Sequence, residues 1–320
     1  MDYPKIVAIG GGTGLSTLLS GLKHFPVDIT AIVTVADDGG SSGILRSDLQ
    51  VPPPGDIRNV LVALSDVEPV LEELMQFRFQ KNDHYLSGHS VGNLLLAAMY
   101  AISDENFVDA VEKMARVLNV RGQIYPSAAT AMVLQAELED GTIIQGESQL
   151  AKHPSPIKRV FFEHQHPAVP ECLEAIVDAD VIVLGPGSLF TSVIPNILFP
   201  EIQAAILASP AQKLYVCNIM TEHGETDFYT VSDHIQKLNQ HMGSSFLDAV
   251  IANDEEIPKE YLKRYAQESA QPVILDKPTI EAMSVEVIPS RIADWDVKRG
   301  VRHDAIKVAA VVYSRALEYL

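Results

Sequence analysis

Hydrophobic runs of strand length recur along the chain and are separated by stretches with the periodicity of amphipathic helices. The runs at 5–9, 29–35 and 181–184 are continuously apolar, which is typical of strands buried on both faces of a parallel sheet. Further strands are predicted at 142–146, 213–217, 249–252, 273–275 and 285–288. Helices are predicted at 15–23, 57–65, 68–78, 91–101, 106–117, 170–177, 230–241, 258–268 and 303–319. This alternation predicts a doubly wound α/β fold with a mostly parallel sheet and helices on both faces.

No low-complexity linker divides the 320 residues, so a single α/β domain spanning 1–320 is expected. The segment 120–165 has a more antiparallel character and is a candidate subdomain or insertion. The longest apolar runs are broken by glycine or proline, which predicts no membrane insertion, and too few residues precede Ile6 for a signal peptide. We therefore expect a cytoplasmic protein in which Cys172 and Cys217 are reduced, buried thiols.

Acidic residues outnumber basic ones by 42 to 24, and the formal net charge is −18. Nucleic acids and anionic membranes select basic faces, so neither is expected as a main partner. An anionic ligand must instead be held by backbone N–H groups, by a few placed arginines or by a bound cation. We expect a small-molecule partner and a homo-oligomer, most simply a dimer.

The first glycine-rich loop, Gly10-Gly11-Gly12-Thr13-Gly14, follows directly on the first predicted strand and precedes a helix. Such a loop directs backbone N–H groups and a helix N-terminus to one place, which favours a phosphate-bearing ligand there. The G-x-G-x-x-G fingerprint is not matched, since residue 15 is Leu, and no Gly-Lys-Ser/Thr of a P-loop follows. A tight turn without a ligand is the alternative.

The same plan recurs after the run at 181–184, where Gly185-Pro186-Gly187-Ser188 precedes a helical stretch, 189–198, that Pro195 is expected to interrupt. Ligands of open α/β sheets bind at the carboxyl ends of strands, near a topological switch point. Two glycine loops in such positions can hold two parts of one ligand. A plain turn is again the alternative.

An acidic loop follows the second strand and reads Ala36-Asp37-Asp38-Gly39-Gly40-Ser41-Ser42-Gly43. A carboxylate at this place in a nucleotide-binding fold accepts hydrogen bonds from ribose hydroxyls, and paired aspartates can hold Mg²⁺ together with ligand phosphates. Asp37 and Asp38 are therefore candidate ligand-binding or metal-binding residues. Ser41 and Ser42 are candidate ligand contacts in a loop that wraps closely. A solvated turn is the alternative.

Three prolines lead into the next predicted helix, in Val51-Pro52-Pro53-Pro54-Gly55-Asp56-Ile57-Arg58-Asn59. Asp56 is expected to cap this helix. Arg58 and Asn59 fall in its first turn, where a cation opposes the helix dipole. We therefore expect Arg58 to have an anionic partner, either a ligand phosphate or one of the two aspartates. A plain surface arginine is the alternative.

The segment Gly88-His89-Ser90-Val91-Gly92 formally matches the G-x-S-x-G elbow of serine hydrolases. The elbow requires a buried strand before it, and the polar stretch 81–87 does not predict one. A helix start that faces an anion is favoured, with Asn93 opening the helix and His89 at its mouth. A serine hydrolase remains a weak alternative.

Two further polar segments lie near predicted element ends. Asn218 and Thr221 follow the strand at 213–217 and are candidate contacts to a base or a sugar. Arg302 precedes the last helix, which Asp304 is expected to cap. It is either an exposed arginine or a ligand clamp.

Taken in order, the motifs resemble one family. The loops at 10–15, 36–43, 52–59, 88–93 and 185–188, with Asn218-Ile219-Met220-Thr221, resemble the YvcK family of gluconeogenesis factors, a branch of the superfamily that includes 2-phospho-L-lactate transferase of coenzyme F420 synthesis. The resemblance runs from residue 5 to the last helix. It implies a Rossmann-like fold, a cytoplasmic location and binding of UDP-sugars. It also implies a regulatory role, without turnover, in cell-wall synthesis and cell shape during gluconeogenic growth. Tyr265 and Arg302 are similar to the positions with which this family grips the sugar nucleotide.

A Mg²⁺-dependent transferase is the alternative function, moving a phospho-group from a nucleotide diphosphate donor of the GDP type. Asp37 or Asp38 would then hold the metal, and Asp37, Asp38 and His89 are the candidate catalytic residues. In the transferase, the loop after the paired aspartates resembles a Ser-Pro-Asp–Asp-Thr pattern. This chain has the proline-rich sequence of 52–59 at that place instead. This departure argues against phospholactate transfer and leaves nucleotide-diphosphate binding intact. NAD in the same groove is a further alternative ligand.

Overall fold

A seven-stranded, entirely parallel sheet forms the centre of the computed structural model, which describes residues 3–80, 84–150, 153, 155–267, 269–296 and 299–318. The strands in these ranges are β1 (Lys5–Gly10), β2 (Asp28–Val33), β3 (Gln123–Pro126), β4 (Leu134–Leu138), β5 (Ile143–Gln145), β6 (Ile157–Phe162), β7 (Val181–Leu184), β8 (Gln212–Val216), β9 (Ala249–Asn253), β10 (Glu286–Ser290), β11 (Ala293–Asp296) and β12 (Gly300–His303). The order in the central sheet is β10-β9-β8-β7-β1-β2-β3. The predicted α/β fold with a parallel sheet is confirmed.

The helices pack around this sheet. They are α1 (Gly12–Leu22), α2 (Gly40–Leu49), α3 (Gly55–Leu64), α4 (Pro69–Gln76), α5 (Val91–Ile102), α6 (Phe107–Val117), α7 (Glu147–Leu150), α8 (Pro170–Val177), α9 (Pro200–Ala208), α10 (Val231–Met242), α11 (Lys259–Gln267), α12 (Lys277–Ala282) and α13 (Ala305–Leu317). α1 buries a stripe of leucines spaced three and four residues apart, as an amphipathic helix does. They are Leu15, Leu18, Leu19 and Leu22.

β1 lies in the interior of the sheet because its apolar residues are covered on both faces. Ile6 and Val7 are at most 2% exposed, and Ala8 and Ile9 are fully buried. From β1 the chain moves to β2 and β3 on one side, and it later returns to the other side as β7. The connections thus diverge between β1 and β7, which makes the carboxyl ends of these two strands the topological switch point.

A second, antiparallel sheet of three strands, β5-β4-β6, packs beside α10. The backbone N–H of Val160 donates to His241 Nε2 at 3.0 Å, and Lys237 Nζ donates to the Lys158 carbonyl at 3.0 Å. The antiparallel character expected of 120–165 therefore belongs to 134–162. β3, at the start of that segment, pairs in parallel with β2 in the main sheet.

A small satellite cluster joins the β11–β12 hairpin to α11 and to the loop after β8. Ile219 and Met220 from this loop pack with Ala293 and Val301 of the hairpin, and Tyr265 and Trp295 pack against them. The hairpin is therefore held over the carboxyl end of β8.

Three local predictions are wrong. The run at 273–275 is not a strand, since only isolated bridges form there, from Pro272 to Met220 and from Ile274 to Thr230. The stretch 189–198 is a π-helical turn followed by a 3₁₀ segment, and the α-helix α9 begins only after it. The acidic loop expected at 36–43 ends at Gly39, because the helix α2 begins at Gly40, and the glycines and serines of its first turn did not indicate a helix.

Cys172 and Cys217 are free and buried, as predicted. Among the described residues, no single helix is long and apolar enough to cross a membrane. One bent pair, Leu189–Leu198 with Pro200–Ala208, has the length and composition for it but is bent by 82°.

Candidate functional site

Two glycine loops touch at the switch point. Gly14 in the first turn of α1 lies against the loop after β7, and an added Cβ would come 2.8 Å from Gly187 Cα and still closer to the Pro186 carbonyl oxygen. An added Cβ on Gly187 would in turn come 3.3 Å from the Gly11 carbonyl oxygen. The two loops, each predicted to follow a strand, lie at the ends of the neighbouring strands β1 and β7 and form one surface, and only residues without a side chain allow this approach.

The helix α1 begins inside this surface, and its N-cap residue, Gly11, provides no side-chain cap. Gly12 has φ +63°, a left-handed conformation that glycine adopts without strain. The buried side chain of Asn196 donates to the Gly10 carbonyl at 3.1 Å and to the Ser192 carbonyl at 2.8 Å, which fixes the loop to the turn after β7. The first turn of α1 therefore lies where the sequence predicted a helix N-terminus suited to an anion, and anion binding there stays a prediction.

A polar cleft of about 400 Å³ opens above the two loops. It is lined by most of the residues predicted for ligand binding. From the glycine loops these are Gly11, Gly12, Thr13, Gly14, Gly187 and Ser188. From the later segments they are Asn218, Thr221, Tyr265 and Arg302. Gly185 lies outside the lining, where an added Cβ would come 3.0 Å from the Val216 carbonyl oxygen.

Asn218 supplies a donor without a partner. Its Oδ1 accepts from Gly187 N at 3.3 Å, while its Nδ2 is buried and has no hydrogen-bond partner among the described residues. An unpaired buried amide is costly, so a ligand acceptor in the cleft would stabilise it. Thr221 lines the same wall, but its hydroxyl already accepts from Gln271 N at 3.0 Å.

Arg302 stands on β12 at the rim of the cleft and is exposed. Its Nε donates to the Arg299 carbonyl at 3.1 Å. Tyr265 from α11 holds the same strand: its hydroxyl accepts from Val301 N at 2.8 Å and donates to the Val301 carbonyl at 3.2 Å. Tyr265 therefore positions the strand that carries Arg302, in addition to lining the cleft.

The carboxyl groups of Glu147 and Glu222 form another wall of the cleft, Asp56 and Glu225 lie outside its lining, and the pKa values of all four are raised. Burial, followed by repulsion from Asp37, raises the pKa of Asp56 to about 7. Burial, followed by repulsion from Asp37 and Asp56, raises the pKa of Glu147 to about 9. Burial also raises the pKa values of Glu222 and Glu225, although Ser188 Oγ donates to Glu225 Oε2 at 2.5 Å. At neutral pH this wall therefore holds protons that ordinary carboxyl groups would have lost.

Asp56 does not cap α3 as expected. The residue before this helix is Pro54, which provides no side-chain cap, and the Asp56 carboxyl turns toward the first glycine loop. An added Cβ on Gly11 would come 2.5 Å from Asp56 Oδ2, and a backbone hydrogen bond from Gly12 favours the charged carboxylate. The sequence predicted a local capping role for Asp56, whereas the fold brings its carboxyl group against the first glycine loop. Asp304 does cap its helix, accepting from Ile306 N and Lys307 N.

The paired aspartates point to different partners. Asp38 Oδ1 accepts from Ser148 N at 2.9 Å, at the start of α7. Asp37 Oδ1 accepts from Gly39 N at 2.8 Å, and its Oδ2 would lie 2.8 Å from a Cβ added to Gly55, on the side of Asp56. No group of three or more His, Cys, Asp or Glu residues suited to a metal ion occurs in the described ranges. The donor set fits Mg²⁺ only as an ion shared between one or two carboxylates and ligand phosphates.

The remaining predicted residues form a separate cluster that does not line the cleft. Ser41 Oγ lies 3.0 Å from His89 Nδ1 and accepts from Asn93 Nδ2 at 3.0 Å. Arg58 donates to Ser90 Oγ at 2.6 Å and to Asn59 Oδ1 at 2.7 Å. The expected anionic partner of Arg58 is not Asp37 or Asp38, since no carboxylate of the described chain lies within ion-pairing distance of its guanidinium. Ser42 is buried in the same region, against Gly55.

Ser90 is the N-cap of α5, because its hydroxyl accepts from Asn93 N at 3.3 Å. It is fully buried and follows an irregular segment that has only an isolated bridge between Arg78 and Ser90. A nucleophile elbow needs a sheet strand directly before the serine and an exposed hydroxyl. The geometry at Ser90 therefore does not support a serine hydrolase.

Sequence reasoning missed several residues of the cleft. Glu147, Ser192 and His303 line it and were not predicted as ligand contacts, whereas Glu222, which also lines it, lies in the polar loop after β8 that was expected to contact a base or a sugar. Burial lowers the pKa of His303 to about 4, so this ring is neutral while its Nε2 contacts the Cys217 carbonyl at 3.1 Å.

Comparison with known proteins shows which family this chain resembles. The family model of 2-phospho-L-lactate transferase CofD matches residues 6–293. A gluconeogenesis factor of Bacillus subtilis is 54% identical over 312 residues, which are 97% of each chain. A gluconeogenesis factor of Halalkalibacterium halodurans is 51% identical over 98% of this chain and 96% of its own length.

The chain belongs to the gluconeogenesis-factor branch of the CofD family. A crystal structure of a UPF0052 family member from Bacillus halodurans superimposes with a TM-score of 0.94 at 51% identity, covering 98% of this chain and 99% of that one. Membership in this family and the Rossmann-like α/β fold, both expected from the motifs, are confirmed.

Proposed function

We propose that this CofD-family protein is a cytoplasmic regulatory factor that binds a UDP-sugar in the cleft above the two glycine loops. The observation that carries the proposal is the contact between Gly14 and the Pro186–Gly187 peptide at the switch point. It presents the N-terminus of α1 and the loop after β7 to one ligand, as diphosphate-binding crevices of this fold class do.

Different groups of the cleft suit the two parts of such a ligand, its diphosphate and its sugars. Backbone N–H groups of the first loop and the guanidinium of Arg302 can hold the diphosphate, because they are the donors on that side. The carboxyl wall of Glu147 and Glu222 can accept hydrogen bonds from sugar or ribose hydroxyls. Since the pKa of Glu147 is about 9, its protonated carboxyl does not repel the phosphates at neutral pH.

The cellular role follows from the relatives rather than from the cleft. The similar proteins of Bacillus subtilis and Halalkalibacterium halodurans carry the name gluconeogenesis factor. We extend that role to this chain and infer that ligand occupancy reports the supply of UDP-sugars for cell-wall synthesis and cell shape during gluconeogenic growth.

A Mg²⁺-dependent phospho-group transferase is the second candidate function. One observation favours it: Asp37 and Asp56 approach each other next to the first glycine loop, where an ion shared with ligand phosphates would lie. Asp38, the other predicted metal residue, is engaged by Ser148 N. Bound Mg²⁺ would supply charge stabilisation of a transferring phospho-group.

The two functions are separated by incubating the protein with UDP-sugars and with GDP-linked donors, each with and without Mg²⁺, and resolving the nucleotides by ion-exchange chromatography. The regulatory function predicts that a UDP-sugar binds by calorimetry and is recovered intact. Steady release of UMP or GMP that Asp37→Asn abolishes would instead establish the transferase. Absence of binding for every UDP-sugar would remove the primary proposal.

A further inference from the structure

Arg58 is a buried cation whose hydrogen-bond acceptors are all neutral, with the carboxyl groups of Asp37 and Asp56 near it but outside ion-pairing distance. It is 6% exposed, its two terminal nitrogens bond to Ser90 Oγ and Asn59 Oδ1, and its buried Nε has no partner in the described chain. A buried charge is strongly disfavoured unless an opposite charge or a full set of hydrogen bonds compensates it. In an acidic chain, where carboxylates are plentiful, the lack of an ion pair at this position calls for an anion from outside.

A second arginine contacts the same segment, 88–90, that binds Arg58. Arg78, in the segment between α4 and α5, is exposed and donates to the Gly88 carbonyl at 2.6 Å, while its backbone pairs with Ser90. Burial, followed by repulsion from Arg78, lowers the pKa of Arg58. Two arginines that repel each other, neither in an ion pair with a described carboxylate, are compatible with a dianion that contacts both.

Neutral hydrogen-bonding groups surround this pair. Ser41, His89 and Asn93 form a chain of hydrogen bonds and are each at most 6% exposed. Asn93 Oδ1 is buried and has no partner among the described residues, so it can accept from a protonated oxyanion. The N-terminus of α5 adds its dipole at the same place, since Ser90 is its cap.

The cluster is separate from the nucleotide cleft. None of Arg58, Arg78, His89 or Asn93 lines the cleft. The loop on the Arg78 side is open, because an added Cβ on Gly88 would meet no atom within 4 Å. An anion can therefore approach from this side without entering the cleft.

We propose that Arg58 and Arg78 form a second anion site, selective for inorganic phosphate or the phosphate group of a monoester. A dianionic phosphate balances both guanidinium charges and offers the several acceptor oxygens that two arginines can engage, whereas a carboxylate balances only one. The site does not depend on the proposed nucleotide function, since none of its ligands belongs to the cleft.

Calorimetric titration of the full chain with inorganic phosphate tests the proposal, with every variant made in a Gly12→Ala background so that the anion site proposed at the first glycine loop does not add a second phosphate. We expect saturable binding of one phosphate per chain, weakened at least tenfold by Arg78→Gln, an exposed position at which folding is retained. Arg58→Gln should abolish binding, and if that variant does not fold, Arg78→Gln decides alone. Arg116→Gln, a matched exposed arginine on α6, and Arg302→Gln at the cleft should bind phosphate like the Gly12→Ala parent.

Absence of saturable phosphate binding, unchanged affinity in Arg78→Gln, or loss of binding in Arg302→Gln would overturn the proposal. Titration with glycerol 3-phosphate distinguishes the two sources of the phosphate group. Tighter binding than inorganic phosphate would identify a monoester site, and weaker binding would identify a site for free phosphate. Because nucleotide binding is measured separately through Arg302, failure of either assignment leaves the other intact.

Discussion

Gly14 on α1 packs directly against Gly187 in the loop after β7, so closely that an added Cβ would lie 2.8 Å from the Gly187 Cα. Gly14→Ala must therefore push the two loops apart, because the atoms it meets belong to the backbone. We expect a loss of about 1–3 kcal/mol in the free energy of unfolding, the range for overpacking a tight contact. UDP-sugar affinity should also fall, because separating the two loops changes the surface that the ligand contacts. Urea denaturation measures the loss of stability, and calorimetry measures the loss of affinity. Wild-type affinity in the variant would show that the contact does not shape the ligand surface.

Removal of the Arg302 guanidinium should weaken ligand binding without affecting the fold. Arg302 is exposed, so Arg302→Ala should leave the melting temperature without ligand almost unchanged. UDP-sugar binding should weaken by about 1.5–3 kcal/mol, the range for a hydrogen bond to a charged group. Arg302→Lys should recover only part of the affinity, because an ammonium cannot engage a diphosphate bidentately.

Arg291→Ala serves as the matched control, since it is another exposed arginine beside the same hairpin. It should bind like the wild type. If both alanine variants lose affinity equally, the effect is one of general charge, and if Arg302→Ala loses none, the glycine loops hold the diphosphate alone.

The Tyr265 hydroxyl should contribute to stability and to UDP-sugar affinity because it holds the strand β12. Tyr265→Phe leaves the buried Val301 N without its 2.8 Å acceptor, which should cost about 1–3 kcal/mol of stability. UDP-sugar affinity should fall as well, because β12 carries Arg302. Tyr261→Phe, on the same helix with its ring against Trp295, is the control and should alter neither quantity by a comparable amount. Loss of stability with unchanged affinity would show that Arg302 does not need a fixed strand.

Asp56 should make the protein less stable as the pH rises. Its pKa of about 7 exceeds the ordinary value of 3.8, so the folded state holds the proton more tightly than the unfolded state. Its stabilising contribution is fully present below pH 4 and is lost as the pH rises through 7. Asp56→Asn removes this titration and should be more stable than the wild type at pH 8 by at most about 4 kcal/mol, since each pKa unit corresponds to about 1.4 kcal/mol.

Urea denaturation of both proteins at pH 4 and pH 8 measures the difference. Asp48→Asn, at an exposed position on α2, should follow the wild-type profile. A difference between Asp56→Asn and the wild type that does not grow with pH would mean that the Asp56 carboxyl is not held in the protonated form.

Much of the fold could be predicted because its signals are local. β1 and β7 are continuous apolar runs that end in glycines, and the four buried leucines of α1 have helical spacing. α2 could not be predicted, because Gly40 and the serines after it have low helix propensity. In the folded chain, burial of residues of this segment outweighs that propensity.

The site was predictable where a motif sits at a strand end and unpredictable where the fold assembles it. The glycine loops and Asn218 were found from the sequence because the carboxyl ends of parallel strands share one edge. Asp56 was assigned to its own helix, since nothing in the local sequence shows that α3 brings it against Gly11. Glu147 reaches the cleft on the short helix α7, which only the tertiary structure brings there.

The most direct test of the account is a thermal-shift panel of UDP-sugars, NAD, GDP and GTP, each with and without Mg²⁺, on the wild type, Gly12→Ala and Gly243→Ala. Both glycines have positive φ, +63° and +79°, so both substitutions carry similar backbone strain, but only Gly12 lines the cleft. A specific ligand raises the melting temperature in proportion to RT ln(1 + [L]/Kd). We predict that a UDP-sugar stabilises the wild type and Gly243→Ala and fails to stabilise Gly12→Ala. Stabilisation by NAD or a guanine nucleotide alone, or an undiminished UDP-sugar shift in Gly12→Ala, would contradict the assignment of this cleft.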